Sequence, residues 1–247
     1  MTADDRAPRP VALITGASRG LGATLARFLA AEGYRLVLNA RGPGGLDAVA
    51  RGLVGPNVIV RTVPGDVRDP STRDSLSEAV RELGRLDLLV NNASDLGPTP
   101  LPPLTECAPD ALASVLEVNV LAPLALVQGL LPILKSSRGE VINISSDAAV
   151  GGYPGWGAYG SSKAALDLIS LTLAHELADA GVSVVSVDPG DMRTAMHQAA
   201  YPGEDISDRP LPEVTLPFWA WLLNQDSARA SGHRFRAQAE RWEVPAQ

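Results

Sequence analysis

The sequence predicts an α/β domain built on a doubly wound parallel sheet. Three observations point there. Short apolar, β-branched runs recur along the chain, helical stretches separate them, and no Pro- or Ser-rich linker divides the 247 residues before about Met192. A chain of this length buries a full core as a single domain, and no internal period suggests a repeat architecture.

Taken in order, residues 1–10 (MTADDRAPRP) read as a short acidic, Pro-rich tail without the apolar stretch of a signal peptide. Residues 11–15 (VALIT) read as the first buried strand, with glycines directly behind it. Residues 21–32 have helical spacing, and Gly33 stands where a C-cap belongs. Strand-like runs follow at 35–38, 58–63, 86–90, 141–144 and 182–187. Helical stretches at 75–82, 111–134 and 159–180 separate them. Strands buried on both faces read as continuous apolar runs, as these do. Residues 195–217 carry Pro202, Gly203, Pro210, Pro212 and Pro217 and read as irregular chain, a segment expected to serve as a substrate lid over the single domain 11–247.

Composition narrows the function. Hydrophobic residues make up 45% and charged residues 20%, a globular balance. Acidic side chains outnumber basic ones 28 to 21, for a net charge of −7. No basic patch is concentrated enough for nucleic acid or an anionic membrane, so neither is expected as a partner. The apolar run 118–134 is interrupted by Asn119, Pro123, Gln128 and Pro132 and is too short to span a bilayer. Cys107 is the lone cysteine and has no internal partner, which points to a reducing, cytoplasmic setting.

The first strand runs into Thr15-Gly16-Ala17-Ser18-Arg19-Gly20-Leu21-Gly22. Glycines at a strand-turn-helix junction allow a tight turn and close backbone approach to a pyrophosphate, whose charge sits against the helix N-terminus. The spacing is G-x-x-x-G-x-G. A mere tight turn is the competing reading, and the placement in the first strand-turn-helix favours the phosphate. The end of the second strand then selects the dinucleotide. A carboxylate there binds the ribose 2′-hydroxyl of NAD. Here the residues are Leu38-Asn39-Ala40-Arg41, with no acid until Asp47. Arg41 offers a fork for a 2′-phosphate and Arg19 a second positive charge, favouring NADP(H) over NAD(H).

Only two lysines, Lys135 and Lys163, stand beside nineteen arginines. Lys163 follows Tyr159 by four residues, on one face of a helix. An adjacent ammonium favours the phenolate, so the pair is expected to lower the tyrosine's pKa by about one to three units. A phenol so tuned exchanges protons with a carbonyl or alcohol, and Ser146, at a strand end, can offer its hydroxyl to the same oxygen.

These motifs resemble the classical short-chain dehydrogenase/reductase family over about residues 11–194. The glycine motif matches Thr15 to Gly22, and the family's Asn-Asn-Ala-Gly matches Asn91-Asn92-Ala93-Ser94. The family's catalytic tetrad falls on Asn119, Ser146, Tyr159 and Lys163, with the serine thirteen residues before the tyrosine. The resemblance implies a Rossmann fold. Tyr159 would be the acid/base, and Ser146 would position the substrate oxygen. Lys163 would tune the tyrosine and bind the nicotinamide ribose, while Asn119 would help hold a relay water. It also implies that Gly16, Ser18, Arg19, Gly20, Leu21, Gly22, Asn92 and Ala93 line the dinucleotide, that Asp66 and Val67 meet the adenine, and that Pro189, Gly190 and Thr194 hold the carboxamide. The cofactor carries the hydride, and the protein supplies orientation and electrostatics.

Three features depart from the family pattern: Ser94 in place of glycine, a charge at Asp191 after Pro189-Gly190, and a C-terminus, residues 231–247, without the frequent Gly-Gly ending. His175, His197 and His233 are scattered without metal-site spacing, so no metal is expected. His175 reads as a surface or interface residue, His197 lies in the lid, and Trp219 and Trp221 read as packing. No G-x-S-x-G argues for a serine hydrolase. Leu96, Leu101, Tyr153, Trp156, Met192 and Met196 are expected to line a largely apolar pocket for a small carbonyl or alcohol substrate. The helices at 111–134 and 159–180 are apolar around most of their circumference, which with the resemblance implies a homodimer or homotetramer. The alternative to an enzyme is an NADP(H)-binding sensor or scaffold on the same fold, which needs none of the tetrad.

Overall fold

The computed structural model describes residues 9–53 and 58–245. Residues 1–8 of the expected tail lie outside them. Seven strands form one parallel sheet: β1 (Val11–Ile14), β2 (Arg35–Ala40), β3 (Val60–Pro64), β4 (Leu88–Asn91), β5 (Glu140–Ile144), β6 (Ser183–Asp188) and β7 (Arg234–Arg236). Their order is β3-β2-β1-β4-β5-β6-β7. The chain therefore moves outward one way from β1 and returns to wind the other way from β4, as expected for a doubly wound sheet. The register sets Ala12 beside Leu36 and Leu88, and Ile14 beside Leu38 and Val90.

Period-two alternation divides the core. Ala12, Ile14, Leu36, Leu38, Ile142 and Val185 face one layer. That layer is closed by α1 (Gly20–Ala31), α2 (Pro43–Gly52) and the apolar α9 (Leu216–Leu223), whose Phe218 and Trp219 are buried. Val11, Leu13, Val37, Leu89, Val141 and Val184 face the other. There α3 (Pro70–Leu83), α5 (Ala122–Ser137) and α7 (Gly157–Leu177) pack. In α1, Leu21, Leu25 and Leu29 fall four apart and are all buried; each such side chain contributes about 1.5–3 kcal/mol.

The region expected as one helix at 111–134 is helical throughout but not uniform. It comprises α4 (Pro109–Leu116), a π-helical turn at Glu117–Leu121, and α5. By length and apolarity this stretch, Pro109–Ser137, would suffice to cross a membrane. Its Leu126, Val127, Leu130 and Leu134 instead pack in the second core layer.

The segment 195–217 is less irregular than its prolines suggest. Thr194 accepts a hydrogen bond from His197 N at 3.1 Å and caps α8 (Ala195–Ala200), and a 3₁₀ turn occupies Pro212–Thr215. Further short helices are α6 (Ala148–Gly151) and α10 (Ser227–Ala230).

Candidate active site

The carboxyl ends of β1 and β4 diverge where the strand order reverses, and a cleft of about 1120 Å³ opens there. Open α/β sheets place ligands at this position. The volume exceeds the roughly 300–1,000 Å³ of an ordinary small-molecule site.

One wall is the glycine turn. Gly16 and Gly20 adopt left-handed φ values of 67° and 54°. A side chain at Gly22 would place its Cβ 2.4 Å from the Gly16 carbonyl and 2.6 Å from Asn92 Nδ2, so the turn closes only around glycine. Asn92 braces it, Nδ2 donating to the carbonyls of Thr15 at 2.9 Å and Gly16 at 3.2 Å. Thr15 Oγ1 accepts from the backbone N–H groups of Asn92 and Ala93, both at 3.0 Å. The helix behind this turn has no side-chain cap and no acid in its first turn. Its N–H groups are thus left for an anion, and the residues present fit a pyrophosphate.

Farther along the cleft, Ser18, Arg19, Leu21, Arg41, Asp66, Val67 and Ala93 line the wall. Arg19 and Arg41 are exposed and Val67 is buried. The Asp66 carboxylate is held by Arg68, with Oδ2 accepting from Nη2 at 2.9 Å and Oδ1 from Nε at 3.1 Å, and this pairing pulls its pKa below the usual carboxylate value. Pro189, Gly190 and Thr194 line the opposite side. Gln238 Nε2 donates to the carbonyls of Pro189 at 3.0 Å and Asp191 at 2.9 Å, fixing that loop.

At the inner end, Ser146 and Asp147 follow β5, and the buried Tyr159 and Lys163 project from successive turns of α7. All of them line the cleft. The hydroxyls of Ser94 and Ser146 lie near enough to the Tyr159 hydroxyl to favour its ionised form, and Ser146 Oγ donates to Asp147 Oδ1 at 3.1 Å. Lys163 Nζ donates to the Ile144 carbonyl at 2.8 Å and sits 5.5 Å from the centre of the Tyr159 ring, within cation–π range.

Here the expected tuning is corrected. Burial dominates the Tyr159 phenol and pushes its pKa up to about 12, against the lowering influence of the two serine hydroxyls. Burial likewise pulls Lys163 down to about 8. A low-dielectric pocket disfavours each charged form, and the ammonium is turned to a backbone carbonyl rather than to the phenol oxygen.

Asn119 is fully buried in the π turn. Its Nδ2 donates to the Asp95 carbonyl at 2.8 Å and to Ser162 Oγ at 2.9 Å, while Oδ1 accepts from Ser94 Oγ at 3.0 Å and Asp95 N at 2.8 Å. With the carboxamide fully engaged, Asn119 fixes the loop that carries Ser94 beside Tyr159. Ser94, noted from sequence only as a departure, is thus part of the polar group at the cleft floor.

The outer rim is aromatic and apolar. Trp156 stacks edge-on against Tyr159 with centroids 5.7 Å apart and contacts Tyr201 at 6.0 Å. Leu96, Tyr153, Met192 and Met196 line the cleft as expected. Leu101 does not; it packs behind the wall against the Leu96–Tyr159 cluster. His197 reaches the cleft, its Nδ1 lying 3.9 Å from Asp191, which also pairs with Arg209 at 3.6 Å. His175 is exposed, Trp219 is buried, and no metal-holding group of His, Cys, Asp or Glu occurs among the described residues.

The sheet order and the cleft at its reversal put the chain in the Rossmann-like class of α/β proteins. Within that class, a family model described as short chain dehydrogenase matches residues 10–205, and the chain belongs to that family of oxidoreductases. It is 33% identical over 238 residues to the uncharacterized oxidoreductase YciK of Escherichia coli (strain K12), covering 94% of this chain and 92% of that one. It is 34% identical over 243 residues to L-xylo-3-hexulose reductase of Hypocrea jecorina, covering 90% and 79% respectively. A crystal structure of a Shigella flexneri protein described as a short chain dehydrogenase, complexed with NADP, superposes with a TM-score of 0.84 at 32% identity over 93% of this chain and 97% of that one.

Proposed function

We propose that the protein is an NADP(H)-dependent oxidoreductase interconverting a carbonyl and an alcohol on a small, largely apolar substrate. One observation carries the reading: the hydroxyls of Tyr159, Ser146 and Ser94 meet at the floor of the cleft whose other wall is the glycine turn. The bound nicotinamide supplies or receives the hydride. The chain's own residues do the rest. Tyr159 holds the exchangeable proton at Oη, Ser146 orients the substrate oxygen, Lys163 binds on the ribose side, and Asn119, buried in the π turn, fixes the loop that carries Ser94 beside Tyr159. Trp156, Met192 and Met196 exclude water and favour an apolar substrate body.

NADP(H) is favoured over NAD(H) by Arg41 and Arg19 at the end of β2 and the glycine turn, with no acid at that strand end. The NADP complex of the Shigella protein supports the same choice. The name of the Hypocrea relative supports a reductase direction. In this reading residues 195–217 act as the lid of domain 11–247, the protein works in the cytoplasm, and it assembles as a homodimer or homotetramer through α5 and α7.

The test is NADPH oxidation against a panel of aldehydes and ketones, apolar ones and ketoses together. At least one is expected to turn over, and Tyr159→Phe is expected to abolish turnover while NADPH still binds. Unchanged turnover in that variant removes the proposed acid. NADPH binding with no turnover anywhere in the panel returns the sensor reading.

A further inference from the structure

The catalytic serine is held from behind by a residue of the C-terminal strand. Arg234, on β7, donates from Nη2 to the Ser146 carbonyl at 2.7 Å and from Nε to Asp167 Oδ2 at 2.9 Å, with Nη2 also 3.4 Å from Asp188 Oδ2. Each partner belongs to a different part of the site. Ser146 carries the hydroxyl beside Tyr159, which donates to Asp147 Oδ1 at 3.1 Å and accepts from Ala148 N at 3.2 Å. Asp167 stands four residues after Lys163 on α7. Asp188 ends β6, and its Oδ1 accepts the N–H of Gly190 at 3.0 Å in the loop facing the nicotinamide side.

The contacts lie away from the surface. The Arg234 side chain is 26% exposed, Asp167 17% and Asp188 4%. A planar guanidinium suits this work, because its fixed fork reaches several acceptors at defined angles where an ammonium acts as a single point charge. Ser146 lies beyond the end of β5, where no strand ladder fixes its peptide. Its carbonyl has one other donor, Ala149 N at 3.1 Å.

Resting on the oxidoreductase reading above, we propose that Arg234 is a positioning residue for the reaction: it sets the Ser146 peptide, and through it the serine hydroxyl, against Tyr159. The atypical C-terminal strand is thus part of the catalytic scaffold. Placement errors of an ångström in a reacting group reduce rates steeply, whereas NADPH affinity, set mainly by the distant glycine turn and Arg41, should respond only weakly, through the Asp188–Gly190 contact.

The experiment compares Arg234→Met, Arg234→Lys, Ser146→Ala and the double variant Arg234→Met/Ser146→Ala in full-length protein, with Tm measured for each. Arg234→Met is expected to lower kcat about tenfold or more while KM for NADPH stays within about twofold, and Arg234→Lys is expected to recover part of the loss. In the Ser146→Ala background the same change should cost less than about twofold, because its target is gone. Deuterium uptake by amides 145–150 should rise in Arg234→Met, a readout independent of turnover. Losses that multiply in the double variant, an unchanged kcat, or unaltered uptake at 145–150 each overturn the proposal. Should wild type bind NADPH and turn over nothing, the enzyme reading fails on its own terms, and the exchange measurement alone decides whether Arg234 orders the serine loop.

Discussion

Lys163 lies beneath the Tyr159 ring, 5.5 Å from its centre, and gives a hydrogen bond to the Ile144 carbonyl instead of to the phenol oxygen. In the proposed reaction this arrangement suits the tyrosine to act as an acid. Burial pushes its pKa up to about 12 and keeps it protonated across neutral pH, the form that the proposed reduction needs.

The direction of the shift sets the pH dependence. Reduction needs the phenol protonated and should stay nearly flat from about pH 6 to 9, as far as Tyr159 governs it. Oxidation needs the phenolate, whose fraction rises about tenfold per pH unit below the pKa. Rates of alcohol oxidation should therefore climb steadily with pH. Steady-state kcat in both directions over this range checks the point, and an oxidation rate flat with pH would show that Tyr159 is not the base.

The glycine turn makes a sharper demand on sequence than any charge in the cleft. At Gly22 a methyl would overlap the Gly16 carbonyl and Asn92 Nδ2, while at Gly52, at the end of α2, nothing lies within 4 Å. Gly22→Ala should weaken NADPH binding at least tenfold. Gly52→Ala should leave binding alone and stabilise the fold by about 0.4–1 kcal/mol. Fluorescence titration with NADPH and a thermal melt of each variant separate the two effects.

Much of this was legible because parallel strands buried on both faces leave continuous apolar runs, so β1, β2, β5 and β6 were readable near their true ends. The placing of Tyr159 and Lys163 on one helix was equally readable, since their spacing is local. What escaped depends on contacts between distant segments. Strand β7 is three residues long and offers Arg-Phe-Arg with only Phe235 buried in the core, too short to show a period. Helix α2 begins Pro-Gly-Gly and buries only Leu46, so its composition reads as a turn. The Tyr159 shift was misjudged because spacing reveals a neighbouring cation but neither the desolvation around the pair nor the Ile144 carbonyl that accepts the ammonium's hydrogen bond.

Arg41 stands exposed at the end of β2, and the adjoining helix α2 opens at Gly42 with no side-chain cap and no acid in its first turn. A 2′-phosphate would meet positive charge there from the guanidinium and from the helix end alike. Arg41→Asp should reverse both conditions, placing a carboxylate where a ribose hydroxyl can donate to it. The ratio of kcat/KM for NADPH to that for NADH should fall by at least tenfold. An unaltered ratio would show that Arg41 serves only as a solvated surface charge.

At the opposite end of the sheet from the cleft, Glu140 opens β5 with its Oε1 buried and without a hydrogen-bond partner. Burial raises its pKa from 4.5 to about 7. Between those values the folded protein holds a proton that the unfolded chain has released, so stability should fall as pH rises from about 4.5 to 7. Above pH 7 the buried carboxylate is charged, at a cost of at most about 3.5 kcal/mol, each pH unit being worth about 1.4 kcal/mol. Glu140→Gln removes the charge and keeps the shape. It should stabilise the protein by about 1–3 kcal/mol at pH 8, and that gain should vanish near pH 4.5, where the native glutamate is neutral as well. Urea unfolding at the two pH values tests this: an equal gain at both would mean that the amide's new hydrogen bonds, and not the lost charge, were responsible.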